Sequence, residues 1–116
     1  MLWLFIGLGG AFGAMSRYTV SIFLKPYSKK LPFATILINS LGSFLFGFFL
    51  ASGLRDSLPT FYFLITTGFL GAFTTFSTFS FEAVNLLNSK QFRLATIYLL
   101  SHFFLPITFA FLGLSL

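Results

Sequence analysis

The sequence has no cysteine, one histidine and only two acidic residues among its 116 positions. Without cysteine there can be no disulfide framework, no thiolate metal site and no cysteine nucleophile. One histidine and two carboxylates leave little material for acid–base catalysis, and no serine has an identifiable base and orienting acid nearby. These absences disfavour an enzyme.

Charge is scarce too: charged residues make up 8% of the chain, whereas 57% is apolar and 20 residues are phenylalanine. With a mean hydropathy of +0.96, this composition excludes a disordered chain and argues against a soluble domain. The net charge of +5 does not indicate a nucleic-acid partner, because the few cations are separated by apolar spans. They are better interpreted as charges that flank membrane segments.

Four apolar segments lie near residues 2–24, 33–52, 61–81 and 94–116. A bilayer core of about 30 Å needs about 20 helical residues, so each segment is long enough to cross it. The connections are short, which makes neighbouring helices antiparallel. No basic region precedes the first segment, so we do not expect a cleaved signal peptide. The predicted fold class is an all-α integral membrane protein, with four transmembrane helices in one domain over 1–116.

The third segment contains the run GFLGAFTTFSTFS at positions 68–80, in which hydroxyl residues alternate with phenylalanines. A polar group exposed to hydrocarbon costs several kcal/mol unless it finds a partner. Gly68 and Gly71, followed by two threonines, also weaken a helix locally. We interpret the run as a broken transmembrane helix that is either packed within protein or lines a wet path.

The first segment carries small residues four positions apart, in the pairs Gly9/Gly13 and Gly10/Ala14. Such pairs let helices approach closely, either within one chain or between chains. Four helices of this size enclose little interior, which favours a polar path between chains and hence an oligomer. Arg17 lies inside the same segment, where a cation costs about 2.5–3.5 kcal/mol on insertion scales. It either snorkels to the interface or forms a fixed positive charge at a vestibule or subunit contact.

Two further groups of side chains are candidates for binding an anion. Thr35, Asn39 and Ser43 are four positions apart and share one helix face. The Asn39 amide can donate to an anion or form an interhelical hydrogen bond. Phe76 and Phe79 share a face if that part is helical, and their positive ring edges either host a small anion or simply pack.

The remaining polar residues lie near the ends or on the fourth segment. Glu82 is expected to be an interfacial carboxylate, so that no carboxylate inside the membrane could relay protons. Tyr98 and His102 lie about one turn apart, and His102 is better interpreted as a hydrogen-bonded histidine than as a metal ligand. Pro106 is expected to kink this helix and free a carbonyl near His102.

Three motifs carry a resemblance over nearly the whole chain: GGAFGAMSRY at 9–18, TILINSLGSF at 35–44 and GFLGAFTTFSTF at 68–79. The last is highly specific. On these motifs the chain resembles the CrcB/Fluc family of fluoride channels. The resemblance implies an inverted dimer of two antiparallel chains with two fluoride pores in a bacterial inner membrane. It also implies passive export of cytoplasmic fluoride, which gives fluoride resistance.

The resemblance assigns roles to residues of this chain. Phe76 and Phe79 resemble the family's phenylalanine box, which presents ring edges to fluoride, and Asn39 resembles its pore-lining asparagine. The further positions that resemble polar pore residues are Ser77, Thr78 and Tyr98.

The resemblance also implies a structural Na⁺ at the dimer centre. Gly71 and Thr74 look like the positions whose backbone carbonyls, from both chains, hold that ion. Arg17 resembles the family's arginine near the wide vestibule. The chain departs from the family pattern on the fourth helix, where a second hydroxyl often stands about where His102 or Pro106 falls; Thr108 is a candidate substitute.

Loop charges bear on the identity of the second subunit. The first and third connections carry five cations, and the second carries only Arg55, beside Asp56. The positive-inside rule then predicts both termini outside, whereas a dual-topology homodimer should have balanced loops. The partner is therefore either a second copy or an oppositely oriented paralogue, and the imbalance favours the paralogue. The five cations are Lys25, Lys29, Lys30, Lys90 and Arg93.

A small multidrug-resistance-type transporter is the alternative function, because it shares the size and the inverted dimer. It should carry a carboxylate inside its first helix to couple protons to cationic drugs, and residues 2–24 contain none. A membrane assembly factor would share the helices but would need no polar stripe.

Overall fold

A computed structural model describes residues 2–27 and 31–116, and every regular element in those ranges is helical. The cations Lys29 and Lys30 lie outside the described residues. The first helix is followed by a 3₁₀ turn at Lys25–Tyr27. The described helices are α1 (Leu2–Leu24), α2 (Phe33–Ala51), α3 (Leu54–Ser57), α4 (Pro59–Phe63), α5 (Gly71–Phe73), α6 (Ser77–Asn88) and α7 (Phe92–Ser115).

The third predicted segment is divided rather than straight. A π-helical stretch, Leu64–Leu70, joins α4 to α5, and residues 74–76 are not helical. Thr74 is extended, with φ −80° and ψ 156°. Threonine hydroxyls accompany both irregularities, since Thr66 Oγ1 donates to the Tyr62 carbonyl and Thr74 Oγ1 donates to the Leu70 carbonyl, each at 2.9 Å. Such back-bonding competes with the regular ladder.

Three stretches are long and apolar enough to cross a membrane: Phe33–Ala51, Pro59–Asn88 and Phe92–Ser115. The chain is therefore a helical membrane protein. Helix α1 is long enough, with 23 residues, but it is not one of the three. Its glycines and Arg17 lower its mean hydropathy.

Glycines bring α2 and α7 into close contact. A Cβ built on Gly47 would overlap the Ala110 carbonyl, and one built on Gly113 would overlap the Phe44 carbonyl. The two helices therefore pack backbone to backbone at this level, as small residues allow in membranes. Helix α7 continues through Pro106 to Ser115, although proline has no N–H to give to the carbonyl four residues earlier.

The small residues of α1 pack against the third segment of the same chain. A Cβ on Gly9 would overlap the Leu64 carbonyl, and one on Gly13 would overlap the Phe69 carbonyl. Of the two interpretations open from the sequence, contact within one chain therefore holds for Gly9 and Gly13. Gly10 has more room, since its nearest such neighbour, the Gly68 carbonyl oxygen, is 3.7 Å away.

A small buried cluster lies between α2, α6 and α7. Its members are apolar except for the Tyr98 hydroxyl, and Tyr98 itself is completely buried. Much of the remaining apolar surface is exposed, as expected for a chain whose solvent is lipid. This cluster holds the polar residues next to the break in position. Its members are Ile36, Ala83, Leu86, Ala95 and Tyr98.

Candidate functional site

The side chain of Asn39 forms hydrogen bonds with the backbone at the break in the third segment. Its Nδ2 donates to the Thr75 carbonyl at 2.9 Å, and the Thr75 N–H donates to its Oδ1 at 2.9 Å. The extended residue Thr74 turns the Thr75 peptide groups out of the helical ladder, so both need partners elsewhere. One amide side chain from α2 supplies both.

His102 uses the remaining hydrogen of the same amide. Its Nε2 lies 3.2 Å from Asn39 Nδ2, and because an amide nitrogen can only donate, Nε2 is the acceptor. The neutral ring then carries its hydrogen on Nδ1, which is buried beside the Tyr98 backbone without a regular hydrogen bond. Asn39 thus forms interhelical hydrogen bonds, one of the two roles open from the sequence, and both of its N–H groups are occupied.

A cluster of hydroxyls surrounds the start of α6. Thr75 Oγ1 lies 3.3 Å from Ser77 Oγ and 3.2 Å from Thr78 Oγ1, and it accepts the Thr78 N–H at 3.2 Å. It therefore satisfies one of the free N–H groups at this helix start. Sequence analysis places Thr75 in the polar run but predicts no separate role for it. The pair of threonines just before the start of α6 is the pattern that indicates a capping hydroxyl there.

Phe76 and Phe79 are neighbours with different surroundings. Their ring centroids are 5.7 Å apart at an interplanar angle of 50°. The Phe79 ring lies 4.3 Å from that of His102 and stacks 5.6 Å from that of Tyr98. Phe76 is 78% exposed. Ordinary packing therefore accounts for much of the Phe79 environment, but not for that of Phe76.

Glu82 lies on α6, in the candidate span Pro59–Asn88, and is half-buried. Its Oε1 accepts hydrogen bonds from Thr35 Oγ1 and from Tyr98 Oη, the latter at 3.0 Å. Hydroxyls on two other helices thus compensate the partly buried acceptor. Helix α6 continues to Asn88, well beyond residue 81, where the predicted segment ends. The expectation that Glu82 is an interfacial carboxylate stays a prediction.

The side chains of Asn39, His102 and Phe79 meet at a cavity of about 440 Å³. No Asp, Glu, Lys or Arg of the described residues lines it. Of the predicted site residues, the cavity brings together Asn39, Thr74, Phe76 and Phe79, and Tyr98 stacks on Phe79. The complete lining is Asn39, Ser43, Thr74, Thr75, Phe76, Phe79, His102, Phe103 and Pro106.

Five predicted residues do not line this cavity. Ser77 and Thr78 lie beside it, where their hydroxyls meet Thr75 Oγ1, and Tyr98 contacts the lining residue Phe79.

The other two, Gly71 and Arg17, lie elsewhere. Gly71 lines a neighbouring cavity of about 310 Å³, which shares Thr74 and Ser43 with the first. Arg17 is half-buried on α1, and its guanidinium makes no hydrogen bond or ion pair with residues 2–27 or 31–116.

Fold and site together define a small helical membrane protein in which a cavity lined by aromatic and uncharged polar side chains adjoins a broken membrane helix. Comparison with known proteins then identifies its family. Residues 4–114 match the family model described as CrcB-like protein, Camphor Resistance (CrcB). The chain belongs to this CrcB family.

Named relatives agree with this assignment over most of their length. The chain is 46% identical over 114 residues to fluoride-specific ion channel FluC 2 of Bacillus thuringiensis subsp. konkukian, covering 97% of this chain and 94% of that protein. It is 44% identical over 110 residues to fluoride-specific ion channel FluC of Saccharophagus degradans, covering 93% and 83%. For FluC 1 of Geobacillus kaustophilus the identity is 41% over 110 residues, covering 95% and 92%.

Proposed function

We propose that this chain forms a fluoride-selective channel that lets cytoplasmic fluoride leave the cell passively. The main support is the cavity at the break, where an amide, hydroxyls and phenylalanine rings converge without a fixed charge. Relatives that match the chain almost from end to end are named as fluoride-specific ion channels. The protein is therefore a channel component and not an enzyme.

Fluoride is small and strongly hydrated, so a selective path must replace its water with comparable donors. The proposed donors are the hydroxyls of Ser77 and Thr78 and the ring edges of Phe76 and Phe79. The Asn39 amide and the Tyr98 hydroxyl join them when they leave their present partners, His102 and Glu82. No single site should bind tightly, because conduction needs exit as well as access. A cell interior at negative potential then drives the anion outwards.

The complete channel requires a second chain. The cavity lies partly at the surface of this chain, and Phe76 in its lining is 78% exposed. We propose four membrane spans, with α1 as the first, and an inverted dimer in the bacterial inner membrane. The partner is a second copy or an oppositely oriented paralogue. In this assembly Arg17, which has no partner among residues 2–27 and 31–116, lies near a vestibule or a subunit contact.

The backbone at the break fits the proposed structural Na⁺. The Thr75 N–H, which would close the helical bond to the Gly71 carbonyl, donates to Asn39 instead. The Thr78 N–H, which would bond the Thr74 carbonyl, donates to Thr75 Oγ1. The Gly71 and Thr74 carbonyls thus lose their usual donors, and such freed oxygens suit a hard cation. The ion would join the two chains at the dimer centre.

Reconstitution tests the proposal directly. Protein purified alone and placed in potassium fluoride-loaded liposomes should release fluoride to an electrode once valinomycin balances the charge, and should release far less chloride. Release without the ionophore would indicate proton-coupled exchange instead. Equal release of both halides, or none even with a co-expressed paralogue, would contradict the proposal.

Topology is tested separately. Reporter tags at both termini should appear on one membrane face if the chain pairs with a paralogue, and equally on both faces if it pairs with itself. The alternative transporter function has little support, because α1 contains no carboxylate to couple protons to drugs.

A further inference from the structure

The hydrogen-bonding state of Asn39 depends on His102. Both Nδ2 hydrogens of Asn39 are used, one by the Thr75 carbonyl and one by His102 Nε2 at 3.2 Å. The second bond exists only while Nε2 keeps a lone pair. An imidazole can lose that lone pair to a proton within the physiological pH range.

Protonation would turn an acceptor into a donor at this point. Nε2–H and the released Asn39 N–H would then face the same space, because both residues line the cavity at the break. Two N–H donors that converge on one point repel each other unless an anion lies between them. A small anion satisfies both, whereas no cationic side chain lines this cavity to compete for it.

We propose that His102 binds an anion only when it is protonated. The neutral ring accepts one N–H of Asn39 and so keeps that N–H from an anion, whereas the protonated ring and the Asn39 amide together bind fluoride. This inference rests on the proposed channel function and adds a specific site and its control. Fluoride binding and proton uptake at His102 then favour each other, since linkage is reciprocal.

Aromatic rings and an amide surround His102. From α6, Phe79 places its ring centroid 4.3 Å away, and from α7 itself Tyr98 places its ring 4.6 Å away. Aromatic rings within about 6 Å attract a cation. From α2 the Asn39 amide lies 3.2 Å from Nε2. The titratable groups on the elements packed against the ring are Tyr98 on α7 and Glu82 on α6, which Tyr98 Oη meets at 3.0 Å.

Fluoride release at controlled pH gives the first test. Because hydrogen fluoride crosses lipid unaided, protein-free vesicles supply the background at each pH. Wild-type release should rise about tenfold between about pH 8 and about pH 6, as expected for protonation of one imidazole. In His102→Gln, whose oxygen still accepts from Asn39 but takes no proton, release should stay low and flat.

Two other variants complete the set. His102→Ser replaces the imidazole by a short hydroxyl that does not titrate, so release should change less than about twofold over the same range. Leu100→Ala, at a 52% exposed position outside the cavity, should keep the wild-type pH dependence. If wild type releases fluoride equally at both pH values, or if the His102 variants keep its pH dependence, the inference is overturned while the channel function stands. If no variant and no wild type releases fluoride at any pH, the channel function itself fails.

A second test does not depend on flux. His102 is the single histidine of the chain, so labelling histidine with ¹⁵N gives the two ring-nitrogen signals of one imidazole in NMR spectra of the reconstituted protein. Near neutral pH, added fluoride should increase the protonated fraction of that ring, and equal chloride should not. A ring that is indifferent to fluoride while wild-type vesicles still release the ion would overturn the inference alone.

Discussion

Replacing Asn39 by aspartate separates its two proposed roles, since the new side chain keeps the shape but changes the hydrogen bonding. Aspartate can still accept the Thr75 N–H, now received by Asn39 Oδ1 at 2.9 Å. It cannot donate to the Thr75 carbonyl or to His102 Nε2, at 2.9 and 3.2 Å from the amide nitrogen. A carboxylate oxygen would instead face the carbonyl oxygen.

The expected effect follows from these two lost donations. A hydrogen bond contributes about 0.5–1.5 kcal/mol net, so the break loses about 1–3 kcal/mol of support. That corresponds to a change of about 5- to 150-fold in the population of the intact arrangement. Repulsion of fluoride by the carboxylate acts in the same direction. Fluoride release by Asn39→Asp should therefore fall by at least about fivefold.

The assay is fluoride release from liposomes that contain equal amounts of assembled protein, checked by size-exclusion chromatography. Asn39→Leu, which is similar in size but uncharged and cannot hydrogen bond, should also be impaired, and the difference between the two variants measures the charge effect. Ser40→Ala is the matched control on α2, because the buried Ser40 Oγ has no hydrogen-bond partner among residues 2–27 and 31–116. Wild-type release by an assembled Asn39→Asp protein would refute this account of Asn39.

Four further predictions concern neighbouring parts of the molecule. Phe79→Ile should lose three aromatic contacts worth about 0.5–1.5 kcal/mol each, lowering thermal stability as well as fluoride release. Phe76→Ile, at a position 78% exposed, should lower release with little change in stability; normal release would reject the ring-edge role. Gly13→Ala should destabilise the fold by about 1–3 kcal/mol, since its Cβ would overlap the Phe69 carbonyl, and an unchanged melting temperature would be inconsistent with that packing. Replacing Na⁺ by a large organic cation should weaken dimer assembly or conduction, and complete indifference would remove the cation from the proposal.

The sequence predicts the helical class well, because hydropathy reports the solvent of each segment. The predicted bounds 2–24 and 33–52 differ little from α1 at Leu2–Leu24 and α2 at Phe33–Ala51. The extent of α6 beyond residue 81 was not predictable in this way, since its last turns are less apolar than a membrane span.

The contacts of the site were less predictable than its residue types. The polar run predicts irregular backbone, but not that the Asn39 amide pairs with both peptide groups of Thr75. That pairing joins residues 36 positions apart, and periodicity within one helix says nothing about it. The roles of Phe76, Phe79, Gly71 and Thr74 stay predictions until conduction is measured.

The pairing of Asn39 with Thr75 also limits how the chain can be recombined. The peptide groups at the break are paired by a side chain from another helix. The broken conformation of the third segment therefore depends on that helix. A chimera that transplants residues 59–88 into an unrelated helical scaffold should restore a continuous helix there unless the donor asparagine on the second helix travels with it. In a redesigned protein, α2 and the third segment should therefore be exchanged only as a matched pair.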